Sequence, residues 1–359
     1  MIKYIGSKRR LVPVLGELVS LAGARTALDL FTGTTRVAQE FKSRGVLVTA
    51  VDLATYAHVF AQCYIETDAS GVDLGELGTI IDRLNNLPGE PGYVTETFCT
   101  ESRYFQPKNG ARIDAIRNVI ESEFQDSLLR PILLTSLIEA ADRVDSTTGL
   151  QMAYLKSWAP RAHNDMELRI PDLLPGSGVA IHGNALDLAK TLGRFDVAYL
   201  DPPYNQHRYF TNYHIWETLV RWDAPDYYGV ACKRIDSRDE GTKSLFNAKR
   251  AMPDALRQVV KDVDCEVLIL SYNDESWVSM EELAEMCAAR GAVEVLAYDS
   301  KRYVGAQIGI YNPLGDKVGE VSHLRNQEYV VVAGDPSRVA AITKPLAAAN
   351  SRRSLSSRR

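Results

Sequence analysis

The chain has 359 residues, longer than one ordinary domain and too short for three. Apolar residues make up 45% and charged residues 24%, which excludes a largely disordered chain; no run of about 18 apolar residues is present to span a membrane. A net charge of −5 excludes a generally basic surface, so a nucleic-acid partner has to be read from local features.

The N-terminus, Lys3 to Arg10 followed by the apolar stretch 11–24, imitates a secretory signal, but Pro13 and Glu17 interrupt it and a short amphipathic helix accounts for it better. Two apolar runs rich in β-branched residues follow, 26–31 and 46–53, joined by a helical stretch that stops at Gly45, the pattern of a βαβ unit. Residues 67–178 read as helical: Ile113, Ile116, Ile120 and Phe124 recur at helical spacing, as do Leu133, Leu137, Ala141 and Val144. Five strand signals come next, at 179–184, 196–200, 265–272, 293–298 and 328–333, with helices at 253–263 and 279–291. The expected fold is α/β: a mostly parallel sheet covered by helices, with antiparallel pairing at its edge because the glycine-rich segment 304–326 lacks a crossover helix. Residues 1–66 and 179–334 then form the main domain, 67–178 a helical insertion, and 335–359 a basic tail expected to be disordered. Five cysteines, at 63, 99, 232, 265 and 287, have neither metal-ligand spacing nor a disulfide framework, so a reducing cytoplasm and a metal-free protein are expected.

Three stretches carry the chemistry. In Asp29-Leu-Phe-Thr-Gly-Thr-Thr35 a strand runs into a tight turn before a helix, where Gly33 lets a ligand approach the backbone. The turn lacks the full dinucleotide pattern, with Thr35 where a second glycine is usual, and by itself fits either a nucleotide site or a plain βα turn. Asp52 ends the next strand, placed to bind ribose hydroxyls or to cap the following helix. Asp201-Pro202-Pro203-Tyr204 follows an apolar strand directly. Its two prolines fix a rigid turn and remove two N–H groups, leaving an acceptor-only corner suited to an exocyclic amino group, and Tyr204 offers a face for a base. Behind it, Tyr209 and Phe210 are candidates for lining a base pocket, and 205–257 holds nine Lys and Arg against seven Asp and Glu, a locally positive flank.

Together with Lys3-Tyr-Ile-Gly-Ser-Lys8, these motifs resemble the DPPY class of DNA adenine methyltransferases, in that class's order and over most of the chain. The resemblance implies a Rossmann-like methyltransferase sheet and methyl transfer from S-adenosylmethionine to the N6 amino group of adenine in duplex DNA, with base flipping and direct in-line attack. It further implies that Tyr4 and Lys8 contact the cofactor, Phe31 and Gly33 line its pocket, Asp52 holds its ribose, and the segment from His182 to Asp187 flanks its adenine. Asp201, Pro202, Pro203 and Tyr204 would be catalytic, Asp201 facing cofactor and target alike, and 67–178 would choose the target. A cognate restriction endonuclease is an implied partner, with no membrane. Cytosine-C5 chemistry is excluded because none of the five cysteines follows proline, the usual setting of its nucleophile. Cytosine-N4 transfer, RNA adenine transfer and a non-catalytic nucleic-acid-binding relic stay open at this point.

Overall fold

A computed structural model describes residues 2–4, 8–203, 206, 208–273, 276–301, 310–311, 317–319 and 325–356. Seven strands form one sheet: β1 (Thr26–Asp29), β2 (Leu47–Asp52), β3 (Val179–His182), β4 (Arg194–Leu200), β5 (Asp264–Asn273), β6 (Ala292–Lys301) and β7 (Arg325–Gly334). Their spatial order is β3-β2-β1-β4-β5-β7-β6. All pairs from β3 to β5 are parallel, whereas β7 runs antiparallel to both β5 and β6. The antiparallel pairing expected at the sheet edge is there, with the reversed strand lying one position in from β6. Strand order reverses between β1 and β4, which opens a crevice beyond their carboxyl ends. Both chemistry-bearing turns, after Asp29 and after Leu200, leave those two strand ends.

Alternation along the strands divides the core between two faces. Val197 and Tyr199 of β4, Val267 and Ile269 of β5, and Val330 and Val332 of β7 face one cluster. Ala198 and Leu200, Leu268 and Leu270, and Val331 and Ala333 face the other. On the first face lie α1 (Val12–Leu21), α2 (Arg36–Ser43) and α3 (Thr55–Ala61). The insertion supplies α4 (Leu74–Asn85), α5 (Pro107–Phe124) and α6 (Arg130–Val144), and α7 (His214–Arg221) follows the second chemical turn. On the second face lie α8 (Met252–Asp262) and α9 (Met280–Ala288), the latter opened by a capping box between Ser279 and Glu282.

The insertion is not a separate unit. Ile113, Ile116, Ile120, Leu133, Leu137, Ala141 and Val144 belong to the same buried cluster as Val48 and Ala50 of β2, so the helices complete the first face of the sheet. Helix is confined to its first part. Residues 145–178 contain one short 3-10 turn, Pro160–His163, and otherwise run over the helices, because side chains take up their backbone carbonyls: Lys108 on His163 (2.9 Å), Arg112 on Met166 (2.8 Å), Arg143 on Glu167 (2.6 Å) and Ser136 on Arg169 (2.6 Å).

One expectation is corrected. The tail after 335, expected to be disordered, forms α10 (Pro336–Ser356), and its Val339, Ile342 and Leu346 are 1%, 2% and 4% exposed in the first core cluster. Their spacing makes an apolar stripe, which outweighs Pro345 and the arginines beyond it. Among the described residues no helix is long and apolar enough to cross a membrane.

Candidate active site

One cavity of about 330 Å³ opens at the crevice beyond β1 and β4. Its first wall consists of strand-end turns. After β1 the backbone turns at Thr32–Thr35, closed by Thr35 N donating to Thr32 O at 2.7 Å. Gly33 has φ +50°, and a Cβ there would stand 3.1 Å from the Tyr4 hydroxyl oxygen, so only glycine suits the position. Thr35 also takes a left-handed conformation, φ 61° and ψ 11°, the backbone of the glycine usual there in this kind of loop. Asp52 at the end of β2 accepts from Gly33 N (2.8 Å) and Ala54 N (2.9 Å), so its carboxylate both fastens the glycine turn and closes a local turn ahead of α3. Burial raises its pKa against those hydrogen bonds.

At the centre are two further carboxylates. Asp29 is 1% exposed; Thr32 Oγ1 donates to its Oδ2 at 3.0 Å, and its Oδ1 has no hydrogen-bond partner. Burial pushes its pKa up to about 7, helped by the charges of Asp201 and Asp52. Asp201 follows β4 and pairs with Lys8 Nζ at 3.1 Å. Burial lifts Asp201 to about 6, and the Lys8 ammonium opposes that rise. Pro202 and Pro203 line the cavity beside it, while Tyr204 lies outside the described residues.

Tyr4, Lys8, Phe31, Gly33, Asp52 and Asp201 therefore meet around one space. Lys8 is found on Asp201, and Tyr4 stacks on Tyr213 (4.7 Å, 15°) and on Tyr209 (5.3 Å, 26°). Of the segment after β3, His182, Gly183, Asn184 and Ala185 line the cavity, but Asp187 does not: it is exposed in the first turn of the short helix Ala185–Leu188, where a carboxylate suits the helix dipole. The expectation for Asp187 is thus corrected, and Asn184 is its neighbour on the cavity. Ser271 is also turned to the core, hydrogen-bonded to the Tyr199 hydroxyl at 2.7 Å.

Of the second wall only Tyr209 and Phe210 are expected from the sequence. Besides Tyr209 and Phe210 it contains Arg208, Glu217 and Arg221, then Thr242, Ser244, Phe246 and Asn247 from a run of 3-10 turns. Phe246 meets Phe31 edge-to-face at 5.0 Å and closes the cavity opposite the glycine turn. Arg234, 1% exposed, fastens this segment: it grips Asp223 bidentately (2.7 and 2.7 Å), Asp236 (2.8 Å) and Thr218 Oγ1 (3.2 Å).

A sequence profile of the D12 class N6 adenine-specific DNA methyltransferase family matches residues 4–286. The chain is 29% identical over 341 residues to Type II methyltransferase M.NlaIII of Neisseria lactamica, covering 91% of this chain and 99% of that protein. With Type II methyltransferase M.CviAII of Paramecium bursaria Chlorella virus 1 it shares 28% over 313 residues, covering 84% and 92%. Modification methylase StsI of Streptococcus sanguinis is 30% identical over 322 residues, covering 84% of this chain but 48% of that protein, of which the chain spans about half.

Proposed function

The chain belongs to the D12 class of N6 adenine-specific DNA methyltransferases, an S-adenosylmethionine-dependent family, and we propose that Asp201 directs the transfer by holding the target amino group over the cavity. The observation that carries this reading is a part-buried carboxylate kept next to a buried ammonium at the switch point of the sheet, in a turn whose two prolines supply no competing donors. The residues present suit the methyl donor. Asp29 Oδ1 is a buried acceptor without a partner in the cavity, matching an ammonium group. Asp52 and Asn184, both on the cavity, would hold ribose and base, and Phe31 and Phe246 give an apolar edge. When bound, S-adenosylmethionine supplies a methyl group on a positively charged sulfur.

The chain's own part is alignment and charge. The adenine N6 lone pair is delocalised into the ring; an acceptor at Asp201 and the carbonyl of Pro202 together hold both amino protons and return electron density to nitrogen. Lys8 keeps Asp201 ionised, and after transfer the carboxylate is the nearest base for the departing proton. Tyr209 and Phe210 flank the base, which has to leave the duplex stack because its amino group is paired there. Residues 67–178 choose the target sequence, a restriction endonuclease of the same specificity is the partner that relatives named as modification enzymes suggest, and the setting is the cytoplasm. Tritiated methyl transfer to duplex DNA with mass spectrometry of the nucleosides tests the reaction: N6-methyladenine is expected, and N4-methylcytosine would overturn it. Exchanging 67–178 with a relative's segment tests the target choice; a folded, active chimera that keeps its original site would move specificity elsewhere.

A further inference from the structure

The helix after the catalytic turn, α7, carries two cavity-lining residues one turn apart, Glu217 and Arg221, on its cavity face. Tyr213, just before it, packs on Tyr4 of the N-terminal motif. Yet α7 has only eight residues and no side-chain cap at its own N-terminus. So short a helix leaves up to half of its backbone N–H and C=O groups without intrahelical partners and is not stable by itself.

Two buried side chains of the insertion take up those ends. At the start, Gln151, 2% exposed, accepts from Ile215 N through its Oε1 at 2.8 Å. Its backbone N–H donates to Asn212 O (2.9 Å), and its carbonyl accepts from His214 Nε2 (3.0 Å) and from the Tyr104 hydroxyl (2.8 Å). Burial pushes His214 down to about 3, so it is neutral, and the carbonyl partner places its proton on Nε2. At the end, Arg117, fully buried on α5, donates through Nε to Leu219 O (2.6 Å) and through Nη2 to Val220 O (3.1 Å). A guanidinium on the last carbonyls also suits the negative end of the helix dipole. Glu121 holds the third nitrogen of Arg117 at 2.7 Å, and Trp222 covers its plane at 5.1 Å while donating Nε1 to Asn118 at 3.0 Å.

We infer that Arg117 and Gln151 are positioning residues for methyl transfer: from the insertion they hold both ends of α7 and so set where Glu217 and Arg221 stand in the cavity. Neither residue lines the cavity, so their influence passes through the helix. The inference rests on transfer at the Asp201 cavity and not on which residues choose the target. It also gives the insertion a second task, because any shift of α5 on DNA is passed to the helix that borders the base.

The test is steady-state methylation of duplex DNA by the full chain with Arg117→Met, Arg117→Lys and Gln151→Leu, with thermal unfolding and calorimetric S-adenosylmethionine binding measured on the same preparations. Methionine keeps roughly the volume of arginine and removes every donor; lysine restores the charge and an ammonium donor group without the planar fork. The expected result for Arg117→Met is a fall of about tenfold or more in kcat, with cofactor affinity kept within about twofold and lysine recovering part of the loss. Should Arg117→Met fail to fold, Gln151→Leu decides, since it removes a single acceptor. A folded variant with kcat within about twofold of wild type overturns the inference. So does a loss of kcat and cofactor affinity in equal proportion, which marks a general loss of structure. Wild-type product is measured alongside: no N6-methyladenine from wild type strikes the proposed function as well, whereas normal wild-type turnover with unaltered variants strikes this inference alone.

Discussion

The two walls of the cavity are built on different principles. The first, from the turns after β1, β2, β3 and β4, is placed by the parallel register of the sheet, with Asp29 beside Ala50 and Tyr199, and Asp52 beside His182. Its side chains are tied to one another and to the turns themselves, Thr32 to Asp29, Asp52 to Gly33 and Ala54, and Lys8 to Asp201. The second, from 208 to 247, has almost no regular structure outside α7 and is placed by two buried guanidiniums: Arg117, reaching from the insertion to Leu219, and Arg234, holding Asp223 and Asp236 within the same segment. A wall set by sheet register tolerates change in single side chains, while one set by a few polar anchors depends on each of them. The first wall also holds the reacting carboxylate, so function and robustness coincide there.

The largest effect tests that coincidence. Asp201→Ala is expected to cut methyl transfer by about 10³ or more while leaving unfolding nearly unchanged, because the turn is fixed by its prolines and not by the carboxylate. In the wild type, the ionised form is the active one and its pKa is about 6, so kcat/KM falls as pH drops through 6 and levels off above 7. Full activity in Asp201→Ala, or a flat profile from pH 5 to 8, would remove Asp201 from the reaction.

The second wall should fail differently. Phe246→Ala removes a side chain 2% exposed that is packed on Phe31, and a loss of about 3–5 kcal/mol in stability is expected, together with weaker cofactor binding. Denaturant unfolding and calorimetry measure both. If affinity falls but stability holds, Phe246 is a ligand contact on a wall that needs no packing, and the contrast between the walls collapses.

What could be read from sequence follows the same division. Strands that end in a glycine turn, a carboxylate or a proline pair announce themselves, because strand period and turn chemistry are local properties; Gly33, Asp52 and Asp201 were visible for that reason. Thr242, Ser244, Phe246 and Asn247 were not, since 3-10 turns have no period to read. The nearest signal was the density of Arg and Asp from Arg221 to Asp239, which reads equally as a phosphate-facing flank. Asp187 misled because the turn after β3 continues into a four-residue helix that carries the carboxylate into solvent. The stripe of Val339, Ile342 and Leu346 was legible by spacing, and Arg-rich composition masked it.

Asp29 sharpens the comparison further, as a group of the first wall that serves function at a cost in stability. A carboxyl raised from 3.8 to about 7 stabilises the folded protein below pH 4, and that contribution is lost as pH rises through 7. Asp29→Asn has no charge to bury, so the cofactor-free variant should match wild type near pH 4 and unfold at a higher temperature at pH 8. Its cofactor affinity should drop about tenfold through loss of the charge-assisted acceptor. Equal unfolding temperatures at pH 8 would mean that the buried charge is compensated within the folded protein.

The smallest effect concerns Thr35, where register and strain meet. A β-branched residue in the left-handed region costs about 1–2 kcal/mol, yet Thr35 is fully buried, and its Oγ1 accepts from Gln39 Nε2 at 2.8 Å and donates to Thr34 O at 2.7 Å. Thr35→Gly releases the strain but loses those hydrogen bonds and adds backbone freedom to the unfolded chain, each on the order of 1 kcal/mol. The changes oppose one another, so stability should stay within about 1 kcal/mol of wild type. Thr35→Ala keeps the strain and loses the bonds, and should be the least stable of the three by about 1 kcal/mol or more. Denaturant midpoints at unchanged slope measure the order. If alanine proves as stable as glycine, the left-handed turn is not strained in the folded protein, and the glycine-like backbone at 35 needs another cause.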